Sequence, residues 1–442
     1  MPQPTFGVPR REFLATSSAS VAVLAAMNGS LQGAFAGGDD AIKVGIIGCG
    51  GRGSGAGENV LQSAKGVKIL AVGDYFMYKA EGLAQHLANF CKNDGKAKEL
   101  GNEFEKPQAF GGLDAFKQVI NFPEINYIIL TTPPGFRPLH LEAAVAAGKN
   151  IFTEKPVAVD GPGIRTCLKV HDAAVEKKLA IVAGTQRRHQ TGYLETLKRV
   201  HDGEIGDILG ARCYWNQGDI WFHPRKQDVS DLDYQIDNWY HFGWLCGDHI
   251  CEQHVHNLDV INWAANSHPT RCLGMGGRTR SYGDPNVDGN IFNFFAIEYE
   301  YPNGLHMQSM CRQISGSDGN LPGQSGVSEA LVGSKGRCQI NAYSINGKSI
   351  FSRNETRQHT NPYVQEHTDL IASIRAGQPL AELKQVAEST LTAIMGRMSA
   401  YTGKAVTWEK ALGSTLTLMP EHLGSRSLQA IPLAVPGRTE LT

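Results

Sequence analysis

Charge is scarce in this chain. Only 19% of its 442 residues are charged, and 42 Lys and Arg against 43 Asp and Glu leave a formal charge of −1. No net positive field exists to draw nucleic acid or an anionic membrane, so neither is an expected partner. After the N-terminal segment there is no run of about 18 apolar residues, which argues against stable membrane insertion. The nine cysteines are an odd number spread from Cys49 to Cys338 with no C-x-x-C pair. That spacing suits buried thiols better than a disulfide framework or a structural zinc site, and leaves open only a Cys246–Cys251 bridge. Internal repeats and low-complexity stretches are missing as well. What remains is a globular chain long enough for two or three domains of ~150 residues, with a small molecule as its expected partner.

Glycine, by contrast, is abundant at 50 residues, pointing to tight turns and close backbone approaches. The first segment reads as a targeting signal. Arg10-Arg11-Glu12-Phe13-Leu14 precedes a small and apolar run, Ala15 to Met27, that ends near Ala34-Phe35-Ala36. A charged start, a short apolar stretch and an A-x-A site describe a cleaved export signal over residues 1–36. The arginine pair followed by Phe-Leu resembles a twin-arginine signal, which implies a folded, periplasmic protein.

Directly after it, Ile42 to Ile47 predicts a buried β-branched strand. Gly48, Gly50 and Gly53 follow in GCGGRG, with Arg52 inside the motif. In this spacing the first glycine allows a tight turn, the second lets a pyrophosphate approach, and the third lets helix and strand pack closely. The free N–H groups of the next helix would then face the phosphates. A second apolar strand, Val67 to Val72, runs into Gly73-Asp74, where an acid can hold the adenosine ribose hydroxyls. Asp74 disfavours a 2′-phosphate, so NAD is expected over NADP. A third strand, Ile125 to Leu130, ends in Thr131-Thr132-Pro133, at an edge that should meet the cofactor.

Leu139 to Ala147 then predicts a helix, and a short strand from Asn150 runs into Thr153-Glu154-Lys155-Pro156, where Pro156 stops the ladder. GCGGRG, Thr132-Pro133, His140 and AGKNIFTEKP together resemble the Gfo/Idh/MocA family of sugar and cyclitol dehydrogenases. The resemblance implies an α/β chain: a Rossmann domain over 40–157, then an α+β substrate domain over 158–442 with an open, mainly antiparallel sheet that often mediates homo-oligomers. The strand-rich stretches Ile205 to Trp215, Phe292 to Glu300, His306 to Arg312 and Glu329 to Ile340 suit that domain. The resemblance also gives Lys155 contact with both cofactor and substrate hydroxyl, places Glu154 beside it, and makes Gln186 and Arg187, after the strand Ala180 to Gly184, candidates for cofactor contact.

The stretch from Gly247 to Trp263 reads as one helix carrying His249, Glu252, His256, Asp259 and Trp263 along a single face. Glu252 and His256, as i, i+4 neighbours, would let the carboxylate orient the imidazole. The family has Asp-x-x-x-His here, so the resemblance makes His256 the acid/base group, with Glu252 in the Asp place. A histidine suits the loss of a hydroxyl proton that accompanies hydride transfer near neutrality, and Lys155 can hold the developing alkoxide. A metal on His249, Glu252 and His256 is the rival reading of the same face; the preferred site contains none.

Five of the six tryptophans lie between Trp215 and Trp263. Trp215, Trp239 and Tyr240, interleaved with polar residues, suggest a pocket whose rings cover a sugar while polar groups take its hydroxyls. The expected activity is an NAD-dependent oxidation of a sugar or cyclitol hydroxyl. Outside the cytoplasm no free cofactor pool is expected, so the cofactor should stay bound and be recycled. Redox-neutral cleavage of a glycoside through transient oxidation is the alternative, and a non-catalytic sugar-binding protein the third.

Overall fold

The computed structural model describes residues 41–279, 284–317, 326–423 and 427–440. The export-signal reading of residues 1–36 therefore lies outside the described residues. Two sheets organise the rest. The first has six parallel strands: β1 Ile42–Ile47, β2 Val67–Asp74, β3 Gln108–Gly111, β4 Tyr127–Leu130, β5 Asn150–Thr153 and β6 Ile181–Ala183, in the spatial order β3-β2-β1-β4-β5-β6. Strand order reverses between β1 and β4, so a crevice opens outside their carboxyl ends, the place where such sheets bind ligands. These strands are apolar on both faces because helices cover both. β1 and β4 are buried almost throughout. The sheet also runs past residue 157, since β6 adds the sixth strand.

The second sheet has nine strands and is mixed, mainly antiparallel. Its centre is β7 Ile208–Gln217, flanked by β10 His306–Gln313 in parallel and by β11 Val327–Gly333 antiparallel. β8 Arg271–Gly277 and β9 Phe294–Glu300 continue one side, and β12 Arg337–Gln339 the other. The strand-rich stretch from Glu329 to Ile340 is a hairpin of β11 and β12. Gly333, Ser334, Lys335 and Gly336 carry its turn, a Gly/Ser-rich composition that breaks the ladder. Burial alternates residue by residue along β9 and β10, the period-2 sign of a sheet with one covered face.

The covered face packs on helices. The long helix Leu383–Thr402 is buried along almost its whole length. It lies against β8, β9 and the helix Gly161–Glu176 that leads into β6. All nine cysteines are free and buried, so Cys246 and Cys251 do not bridge. Among the described residues no helix is long and apolar enough to cross a membrane.

Candidate active site

A cleft with room for about 420 Å³ lies at the carboxyl edge of the first sheet, between β1 and β4, within the usual size range for small-molecule sites. Its floor is the glycine loop. Gly48 has φ +98°, which disfavours any other residue, and a Cβ on Gly53 would overlap the carbonyl oxygen of Gly48. Gly50 and Gly51 differ: a Cβ there would meet nothing within 4 Å, because both face the open cleft. The helix Gly51–Leu61 that starts here has no side-chain cap and no acidic residue in its first turn, so its free N–H groups are available to an anion. At the end of β2, Asp74 accepts the backbone N–H groups of Cys49 (2.7 Å) and Phe76 (2.9 Å). Each carboxylate oxygen keeps a further lone pair for a hydroxyl. Loop, helix end and acid fit a dinucleotide with an unphosphorylated ribose.

The opposite wall comes from the ends of β4 and β5. Thr132 Oγ1 lies 3.2 Å from His140 Nδ1, and His140 stacks on Phe136 with ring planes 7° apart. Burial, then the Arg137 charge, push the His140 imidazole down to about 3, so it is neutral. Arg137 itself is fully enclosed and donates to the carbonyls of Thr132, Glu154 and Pro156. It ties the two strand ends together, which nothing in its local sequence announces. Glu154 is held by Arg52, whose guanidinium also reaches Glu366 at 3.9 Å.

Lys155 sits at the cleft's centre. Its Nζ donates to the backbone carbonyl of Glu252 and, at 3.0 Å, to Glu252 Oε1. Burial raises the Glu252 carboxyl above its ordinary value, opposed by the Lys155 charge. His256 also lines the cleft, with its imidazole stacked 5.7 Å from Trp215 at 19°. Burial first, then Lys155 and two arginines, hold it well below the ordinary histidine value, so it is an unprotonated base at neutral pH. Glu252 Oε2 and His256 Nδ1 are both buried without a hydrogen-bond partner. Unsatisfied polar atoms of this kind call for a hydroxylated ligand or water.

The single helix expected from Gly247 to Trp263 is broken. His249–Glu252 and Val255–Ala265 are separate helices with a turn at Gln253 and His254. Asp248, at φ +85°, starts the first by accepting the N–H of His249. The break removes the i, i+4 register, and no hydrogen bond joins Glu252 to His256; the carboxylate orients Lys155 instead. The three histidines also diverge. His249 Nε2 points to the Trp215 carbonyl at 3.4 Å and His254 Nε2 to Ser309 Oγ at 2.7 Å. Among the described residues, no group of three or more His, Cys, Asp and Glu could hold a metal ion.

Of the other candidates, Gly48, Gly50, Arg52, Asp74, Thr132, Pro133, His140, Glu154 and Trp239 line the cleft. Gly53 lies just beneath the loop. Gln186, Arg187, Trp215 and Tyr240 do not line it: Arg187 is spent on Glu329 at 2.7 Å, and Gln186 reaches Tyr363 at 3.4 Å. Trp215 lies behind His256, and Tyr240 is enclosed. Sequence reasoning missed Tyr75, Lys79, Ile236, Gln253 and Tyr363, all lining residues. Only the first two had a usable signal, their place just after Asp74.

Residues 42–185 match the model of the Gfo/Idh/MocA oxidoreductase family, NAD-binding Rossmann fold. That match takes in the whole of the first sheet and about a third of the chain. Inositol 2-dehydrogenase of Klebsiella pneumoniae (strain 342) is 32% identical over 152 residues, 34% of this chain and 37% of that protein. Inositol 2-dehydrogenase of Rhodococcus jostii is 27% identical over 178 residues, 40% and 42% of the two chains. The alignments thus span well under half the length of these relatives. Among solved structures, an oxidoreductase of Thermotoga maritima superposes with a TM-score of 0.61 at 18% identity, covering 84% of this chain and all of that one. Scyllo-inositol dehydrogenase of Lactobacillus casei, solved with NAD(H) and scyllo-inositol, gives 0.60 at 18% identity, covering 83% and 99%. These superpositions establish the two-sheet fold over most of the chain.

Proposed function

We propose that this protein is an NAD-dependent oxidoreductase that moves a hydride between the nicotinamide and a secondary hydroxyl carbon of a cyclitol or sugar. The observation that carries the reading is the meeting of Lys155, Glu252 and His256 in the same cleft as the glycine loop and Asp74. A nicotinamide dinucleotide bound there supplies the hydride acceptor. The Lys155 ammonium, fixed by Glu252, polarises the reacting oxygen. Neutral His256, whose imidazole lines the cleft, takes the hydroxyl proton. The inositol 2-dehydrogenases among the relatives support a polyhydroxylated ring as substrate.

Retention of the cofactor belongs to the same proposal. Tyr75 and Lys79, which follow Asp74 and line the cleft, are tied to the helix Asp231–Asp237 of the second half. The Tyr75 hydroxyl donates to Asp233 at 2.6 Å, and Lys79 Nζ lies 3.7 Å from Asp237. Both links cross the cleft's adenosine end and support slow nucleotide release. Together with Arg10-Arg11 and Ala34-Phe35-Ala36, they fit a protein exported folded with its cofactor aboard.

The test is to purify the chain without added cofactor, denature it, and identify released nucleotide by mass spectrometry. Native protein is then mixed with myo-inositol, scyllo-inositol, hexoses and aryl glycosides while nicotinamide absorbance is followed. Near-stoichiometric NAD(H) that a polyol or hexose reduces is the expected result. Glycoside cleavage with no net change in nicotinamide would move the assignment to redox-neutral cleavage. A chain that neither carries nor binds NAD would overturn it.

A further inference from the structure

The turn Gln186–His189 leaves the end of β6, and its four side chains reach four different places. Gln186 meets Tyr363, while His189 lies between Asp369 (2.6 Å) and Glu382 (3.3 Å). The two arginines between them reach toward the helix that carries His256. Arg188 is bidentate on Asp259, at 2.8 and 2.9 Å, and Ser389 donates to the same carboxylate at 2.8 Å. Arg187 donates to Glu329 on β11, which is fully buried. Glu329 accepts two more hydrogen bonds, from Tyr193 (3.1 Å) and from the side-chain amide of Asn257 (2.6 Å).

Asn257 is the residue after His256. A second path leads to the same imidazole: the Arg187 guanidinium lies 5.8 Å from the centre of the Trp215 ring, against which His256 is stacked. An enclosed arginine and carboxylate are a poor way to gain stability, because desolvation cancels much of their attraction. Such a pair does fix geometry, since each charge demands its partners at hydrogen-bonding distance.

We infer that Arg187 and Glu329 are positioning residues for His256, acting through Asn257 on one side and Trp215 on the other. The inference rests on His256 being the proton acceptor of the proposed reaction. Arg187 holds the indole and anchors Glu329, and Glu329 anchors the first turn of the helix by the Asn257 amide. Together they keep the imidazole against Trp215, in place on the wall of the cleft.

The test reads the ring itself. Protein labelled with 13C at histidine Cε1 gives one signal per ring; the His256 signal is the one lost in His256→Gln, and the indole current shifts it upfield. Arg187→Met, Glu329→Leu and Asn257→Ser should each move that signal toward the unstacked position, with nucleotide content unchanged. Glu329→Gln keeps an oxygen acceptor for Asn257 and should leave the signal near its original place. Asn257→Ser removes a single arm of the network and serves if the charged-residue variants fail to fold. A His256 signal unmoved in folded Asn257→Ser and Arg187→Met would overturn the inference. Unchanged turnover of a polyol by His256→Gln would instead sink the proton-acceptor role, whatever the labelled variants do.

Discussion

At the scale of the residue, burial sets the chemistry of His140, His249 and His256, whereas the carboxylates of Glu382 and Asp369 overcome it at His189 and raise that imidazole. His249 is fully enclosed, and burial pulls its imidazole down to about 3. Unfolded, the same side chain takes a proton near its ordinary value of ~6.5. The folded value is the depressed one, so the stability it represents is present above ~6.5 and is lost as pH falls toward 3, by at most ~1.4 kcal/mol per pH unit. His249→Gln should therefore flatten the acid limb of a melting-temperature profile between about pH 6 and 4. An unchanged limb would mean that His249 accepts a proton in the folded state. Lys155 and His256 could be found from their motifs, because each sits in a local pattern of strand end or helix. Arg137 and the Arg187–Glu329 pair could not: the partners of the pair are 142 positions apart, and a contact of that kind leaves no periodicity to read.

Elements repeat the lesson with different physics. The parallel strands and the glycine loop were legible because an apolar run followed by G-x-G-x-x-G admits few other structures. Gly53→Ala should push the loop off Gly48, cost about 1–3 kcal/mol by overpacking, and abolish nucleotide retention. Calorimetry together with nucleotide analysis checks both, and a variant that still carries full nucleotide would mean the loop has slack. The break at Gln253 and His254 was invisible, since apolar and polar residues continue in helical spacing straight through it. What ends the first helix is tertiary: Glu252 gives both its backbone carbonyl and its carboxylate to Lys155, while His254 is drawn to Ser309 beneath the second sheet.

At the scale of the whole molecule, one face of the second sheet is exposed among the described residues. Met275, Ala296 and Met310 are register partners across β8, β9 and β10 and all are exposed, Met275 at 78%. A flat apolar row on a sheet invites a second copy. Sedimentation should find a dimer or tetramer, with Met275→Lys/Met310→Lys shifting the population to monomer; a monomeric unaltered protein would refute this. The two-sheet architecture was legible through the family resemblance carried by GCGGRG and AGKNIFTEKP rather than through periodicity, and the first sheet takes its last strand, β6, from beyond residue 157. The turn that follows β6 has a consequence for recombination. A chimera joined to a relative just after the turn, where the first sheet ends, keeps the cofactor loop and the turn but receives foreign residues in place of Glu329, Asp259, Asp369 and Glu382, which the turn's side chains would have to match at once. The two halves of this protein are therefore not interchangeable modules: substrate range can be transplanted only if the turn and its four acidic partners travel together.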